Sequence, residues 1–289
     1  MKMLASHRWL LIAFFLAGCV GTPARPNTPP TVVTLPERPL PPDDAPLKVA
    51  LDSSLGHYRV ESRTIVFATS DTTIPLDSIL VVAQIGVSAK HLIVAGAILF
   101  SGTVEMLTVT SGLGASRSSQ SLNGEFRMDW STVADSLAFP GQPTRAGCDQ
   151  LQETARDILV SVFPLLPGSL TPNQIWRSRG TLRSCRAGVV MEIASRSQIA
   201  VASGTGTLNR RQVSLRSDGT VSIGGSGTQG AGLVTVRGSG VHTSTYSLNL
   251  EEGILVSTTT QSRTQIEFDM GYRTDRLIQR TMRSISRIR

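Results

Sequence analysis

Beyond His7, three histidines could move protons: His57, His91 and His242. A histidine acting as general base needs a proton donor within reach and, usually, an acid that orients its ring. None of the three has an acidic neighbour in sequence that suggests such a pair. Ser and Asp are plentiful, so a triad assembled only in space stays open. Glu251 and Glu252 are adjacent carboxylates, but neighbours on a strand point to opposite faces, and a turn is their simpler home. Gly225-Ser226-Gly227-Thr228-Gln229-Gly230 matches G-x-G-x-x-G. A dinucleotide site needs that loop to lead into a helix, and the following "AGLVTVRGSG" reads as strand, so a tight turn or loose edge is the plainer assignment. No G-x-S-x-G or H-E-x-x-H is present. Cys148 and Cys185 have no second Cys or His at metal-ligand spacing. These residues predict a protein that is not an enzyme and needs neither cofactor nor metal.

Cys19 stands in a different setting. Lys2, His7 and Arg8 make a basic start, and "WLLIAFFLA" runs from Trp9 to Ala17 without a charge. That run is shorter than the ~20 apolar residues a membrane-spanning helix takes. It fits the apolar region of a secretory signal peptide, residues 1–18. Leu16-Ala17-Gly18-Cys19 closes it and resembles the lipobox of bacterial lipoprotein precursors. The resemblance implies cleavage before Cys19, a diacylglyceryl group on its sulfur and acylation of the new amino group. An ordinary cleaved leader with an incidental cysteine is the alternative. Each buried methylene contributes about 0.8 kcal/mol, and stable anchoring takes at least two acyl chains, so three imply durable membrane attachment. In that family an aspartate after the cysteine commonly signals inner-membrane retention; Val20 therefore implies the outer membrane, facing the periplasm. With Cys19 acylated, Cys148 and Cys185 remain as a pair. An oxidising compartment predicts a disulfide between them, contributing ~3–4 kcal/mol; two free thiols are the alternative.

The elements that would carry these residues follow a spacer. Between Val20 and Leu47 lie nine of the chain's fifteen prolines. Residues 19–47 therefore read as an extended or disordered linker, reaching up to roughly 80 Å at ~3.1 Å per residue. A ligand for a proline-binding partner is the alternative to a plain spacer. Residues 48–289 are long enough for one sizeable domain, and 40% hydrophobic content supplies a core.

The pattern there is mostly period two. Phe126, Met128 and Trp130 alternate with Glu125, Arg127 and Asp129; Ile266, Phe268, Met270 and Tyr272 alternate with polar residues; Val213 and Leu215 do likewise. Such runs predict half-buried antiparallel strands. A hairpin is expected to turn near Glu251-Glu252-Gly253, and another turn at Ser217-Asp218-Gly219. "SILVVAQIGV" from Ser78 and "HLIVAGAILF" from His91 read as strands buried on both faces or as one short buried helix. Leu151, Ala155, Ile158, Leu159, Val162 and Phe163 repeat at helical spacing, which predicts a helix over 149–163, with Asp149 as N-cap and Pro164 ending it. The fold expected is mainly β: a large curved antiparallel sheet or open barrel with one amphipathic helix packed on it. The helix would separate two strand sets, about 56–139 and 180–289.

Net charge is +7, almost all from arginine. Arg276, Arg280, Arg283, Arg287 and Arg289 crowd the C-terminus, interleaved with Ile278, Met282, Ile285 and Ile288. As a helix this is a basic amphipathic surface; as a final strand it is a basic edge. Either would meet anionic head groups or an acidic partner, or simply be a solvated face. Export argues against nucleic acid, and 5% aromatics are too few for base stacking.

Leader, lipobox, spacer and a many-stranded sheet with one helix together resemble the periplasmic lipid-carrier lipoproteins of the LolA/LppX kind. The resemblance covers residues 50–289 at the level of architecture and transfers no site residue. It implies a curved sheet around an apolar cavity, hence a tethered, non-catalytic module for lipid or another apolar ligand, lined by side chains such as Val213, Leu215, Ile266 and Phe268. The competing expectation is an envelope structural or assembly protein with a filled core, acting through contacts with other envelope proteins.

Overall fold

The structure, a computed structural model, describes residues 47–48, 54–91, 98–112, 116–128, 132–133, 150–162, 169–186, 188–202, 212–229 and 232–288. Its strands are β1 (Leu47–Lys48), β2 (Ser54–Ala68), β3 (Asp71–His91), β4 (Ile98–Ser111), β5 (Ser116–Met128), β6 (Thr132–Val133), β7 (Ser169–Leu170), β8 (Ile175–Arg186), β9 (Val189–Val201), β10 (Val213–Gln229), β11 (Gly232–Asn249), β12 (Ile254–Asp269) and β13 (Thr274–Ile288). Among the described residues one helix, α1 (Gln150–Val160), interrupts them.

The long strands form one antiparallel sheet in the order β8-β9-β10-β11-β12-β13-β2-β3-β4-β5. The sheet curls into an open barrel. Among the described residues its edges, β5 and β8, are joined in the sheet through the two-residue β6, by Met128↔Val133, Thr132↔Arg179 and Val133↔Gly180. The expected fold class, a large curved sheet with one helix, is the one observed. The two strand sets are joined by direct pairing of β13 with β2, from Leu277↔Ala68 to Ile288↔His57.

Alternation decides which side chains turn inward. In β2 these are Tyr58, Val60, Ser62, Thr64 and Val66, all buried, while Arg59 and Arg63 between them are exposed. The interior is layered. One apolar cluster surrounds α1 and includes Tyr58, Val60, Ile85, Leu107, Ile158, Leu159 and Leu215. A second includes Val66, Met191, Val236, Ile266, Phe268 and Leu277. Buried polar residues on the same inward faces lie between them along β2, β12 and β13: Ser62, Thr64, Thr258, Thr264, Gln279, Thr281 and Arg283. Cross-strand hydroxyl pairs satisfy part of this layer, with Thr64 and Thr281 Oγ1 atoms 3.4 Å apart and Ser244 Oγ 2.9 Å from Thr260 Oγ1.

Helix α1 forms within the expected 149–163 and turns Ala155, Ile158 and Leu159 into the first cluster, joined by Val162 just past its end. A Cβ at Gly102 would sit 2.4 Å from Leu159 Cδ2, so the glycine makes room for the helix. Asp149 and Pro164 lie outside the described residues. The side chain of Glu153, buried in the first turn, accepts hydrogen bonds from Ser184 Oγ (3.2 Å) and the Cys185 amide (3.0 Å), tying the helix to β8.

The hairpin turn at Glu251-Glu252-Gly253 is present. Gly253 has φ 64°, and Asn249 Oδ1 accepts from the amides of Glu251 and Glu252, each at 3.1 Å. The turn expected at Ser217-Asp218-Gly219 is not: those residues run through the middle of β10. Gly219 is needed for proximity instead, since a Cβ there would lie 2.5 Å from His242 Cε1 and 2.6 Å from the Arg196 carbonyl oxygen. The run from Ser78 is strand, within β3, and buries mainly its inward face: Ile79, Val81, Ala83, Ile85 and Val87 are buried while Leu80 is 37% exposed.

Candidate functional site

The C-terminal arginines occupy a strand, β13, and it is not an edge. It pairs on both sides, with β12 and β2. Period-two geometry therefore splits them. Arg276 and Arg280 face outward and are exposed; Arg283 turns inward and is 6% exposed. Arg283 Nη1 donates to the Asp157 carbonyl oxygen (3.4 Å) and to Ser161 Oγ at the end of α1. A cation at a helix C-terminus meets the negative end of its dipole. Arg283 is thus a structural clamp, correcting its expected place in a basic surface stripe. Arg287 Nη1 lies 3.4 Å from Glu252 Oε2 at the barrel end. Beside it the Tyr58 hydroxyl donates to the Leu255 carbonyl oxygen at 3.1 Å, and burial pushes its pKa up to about 12 against the opposing pull of Arg287. Arg289 lies outside the described residues.

On the outer face, Arg276 Nε lies 2.7 Å from Glu267 Oε2. Further along the same face the pattern changes. Arg263 on β12 stands directly opposite Arg280 on β13. Like charges directly opposite in a sheet are unfavourable. Arg280 lies over the Phe67 ring, 4.8 Å from its centroid. Among the described residues neither arginine has a carboxylate partner. Together they flank a groove of about 440 Å³ across β11, β12, β13 and β2. Ile65, Val241 and Met282 give it apolar surface, Thr243 and Gln261 add polar atoms, and no carboxylate among the described residues lines it. Asp218, on the neighbouring β10, is engaged elsewhere: Arg216 Nε donates to it at 2.8 Å and Thr243 Oγ1 at 2.9 Å, which hold its carboxyl below the usual range.

Two histidine pairs were not legible in the sequence. His57 Nδ1 lies 2.8 Å from Glu105 Oε1 on the outer face. The pair spans three strands because Gly86, opposite His57, has no side chain between them, and because the β3–β4 register shifts at Gln84/Ile85. Inside, His242 Nε2 lies 3.0 Å from Ser197 Oγ. Burial holds the His242 pKa down, against a smaller upward pull from Asp218. Asp218 sits at an outward position of β10 and His242 at an inward one of β11, so this acid does not orient the ring as a triad requires. His91 ends β3.

Gly225 and Gly227 of the G-x-G-x-x-G match lie inside β10. Cβ atoms there would sit 2.2 Å from the Val190 and Gly188 carbonyl oxygens, so these glycines allow close approach to β9. Cys185 is disulfide-bonded; Cys148, like Cys19, lies outside the described residues, so the expectation that Cys148 is the partner rests on the sequence. The four side chains named as cavity lining are packed in the two clusters: Val213 and Leu215 in one, Ile266 and Phe268 in the other. No family model matches the chain, and no curated protein matches it.

Proposed function

We propose that this chain is a membrane-anchored, extracytoplasmic lipoprotein whose barrel is a non-catalytic binding module, and that it binds on its outer face. The observation that carries the second part is the packing of the side chains expected to line a cavity. Val213, Leu215, Ile266 and Phe268 are each 0–2% exposed and belong to two packed clusters with a polar layer between. The 440 Å³ groove, by contrast, opens outward and lies within the size range of ligand sites. The first part rests on Leu16-Ala17-Gly18-Cys19 after an apolar run, with the proline-rich segment as its spacer. The outer face also carries Arg59, Arg63, Arg177, Arg237 and Arg263 along its strands. Each such charge would cost ~2–4 kcal/mol at a bilayer midplane, so this face suits water or a polar partner better than lipid tails.

An envelope assembly protein is the second reading, favoured by the exposed Ile175, Val190, Leu233 and Val241 on the same surface. Mass spectrometry of the native protein tests the anchor: a mature chain starting at acylated Cys19 is expected, and a chain keeping Met1 with a bare thiol refutes it. A photo-crosslinker at Val241 in living cells separates the readings of the barrel. Adducts with small amphiphiles support the binding module, and adducts with one envelope protein support assembly.

A further inference from the structure

We infer that the outer groove is a site for an amphiphilic anion: a phosphate or carboxylate head held between Arg263 and Arg280, with its apolar stem along Ile65, Val241 and Met282. The inference deepens the outer-face reading and rests on it. Four observations converge. The two arginines are cross-strand neighbours, an arrangement that costs stability unless an anion lies between them. Among the described residues their surroundings supply no carboxylate, although other arginines of the barrel have one: Arg276 on β13 with Glu267, Arg216 on β10 with Asp218, and Arg273 in the β12–β13 turn with Asp275 at 2.6 Å. The Phe67 ring, 4.8 Å from the Arg280 Cζ, positions that guanidinium by a cation–π contact, which uses no hydrogen-bond acceptor. Val241 is 58% exposed beside them, an apolar surface that a stem would cover. A guanidinium pair matches the planar, multidentate demand of phosphate or carboxylate. Neither a free inorganic anion nor an uncharged amphiphile would satisfy both halves of the groove.

Titration calorimetry on the full mature chain in nanodiscs of neutral phosphatidylcholine tests this, with octyl phosphate as probe and empty nanodiscs as the partition control. Should the chain prove to carry no acyl groups, the same titration runs without nanodiscs, so failure of the anchor and failure of the site are separable. One saturable site per chain is expected, with octanol and inorganic phosphate each weaker by about tenfold or more. Arg263→Gln and Arg280→Gln should each weaken octyl phosphate about tenfold, the equivalent of one charge-assisted contact. Arg276→Gln, which removes the same charge from the same strand, should leave it unchanged. Thermal midpoints of all three variants check that they fold. Including anionic phosphatidylglycerol in the nanodisc identifies the source: competition points to a membrane head group, and its absence to a free amphiphile. Absence of saturable binding overturns the proposal. So do an equal loss in Arg276→Gln, which would mean diffuse charge attraction, and binding of an acidic peptide with no response to octyl phosphate.

Discussion

Arg280 and Arg283 stand three residues apart on β13 and live in opposite worlds. Arg283, on the inner face, is buried and reaches the end of α1. Arg280, on the outer face, is exposed, lies over Phe67 and confronts Arg263. The inner arginine is held by acceptors that the fold supplies. The outer pair is held in place without an acid, and its arrangement makes physical sense when something from outside completes it. The same residue type on one strand therefore serves stability on one face and recognition on the other, and only side-chain parity separates them.

The largest effect should come from the inner face. Arg283→Met removes the charge-assisted contacts to Asp157 and Ser161 and should lower stability by about 2–3 kcal/mol, read as a shift in the denaturant midpoint. A change near zero would mean that the helix end is satisfied otherwise. Glu153→Ala deletes the acceptor for Ser184 and the Cys185 amide at the other end of the helix, and should cost about 1–3 kcal/mol by the same measurement. On the outer face, Arg263→Gln relieves a like-charge contact and should be neutral or stabilising by a few tenths of a kcal/mol. Arg280→Gln gives the same relief but loses the Phe67 contact, so its two effects should nearly cancel. An outer substitution as damaging as Arg283→Met would erase the distinction between the faces.

The smallest effect concerns pH. Burial depresses the folded-state pKa of His242 below its ordinary 6.5. The unfolded chain then takes up a proton first, so stability is fully present above about pH 6.5 and is lost as pH falls toward the folded value. His242→Asn should flatten that acid-side slope while leaving stability at pH 8 little changed; an unchanged slope would assign it to other groups.

Much of this was readable in the sequence, for definable reasons. Two periodicities carry the fold: alternation in segments such as that from Gln265 to Phe268, and the helical spacing from Leu151 to Val162. The site was less legible. Arginine and isoleucine interleave in β13 in a way compatible with helix or strand, and only the strand assigns Arg280 and Arg283 to opposite faces. Even with parity known, the encounter of Arg263 with Arg280 depends on the β12–β13 register, which no local pattern fixes. The His57–Glu105 pair needs a register shift and a missing side chain on the strand between. Ser217-Asp218-Gly219 reads as a turn because turn residues are identified by type. Here Asp218 binds Arg216 and Gly219 clears space for His242, both within an uninterrupted strand.

The pairing of β13 with β2 bears on how the molecule comes into being. Residues 57–68 find their neighbour at 277–288, more than two hundred positions later in the chain. Until synthesis delivers that last strand, β2 and β12 both present open rims of unpaired amides and carbonyls, which invite pairing with other chains. Contacts so remote in sequence also make for slow folding. A truncation that removes residues 274–288 should therefore aggregate rather than yield a smaller domain.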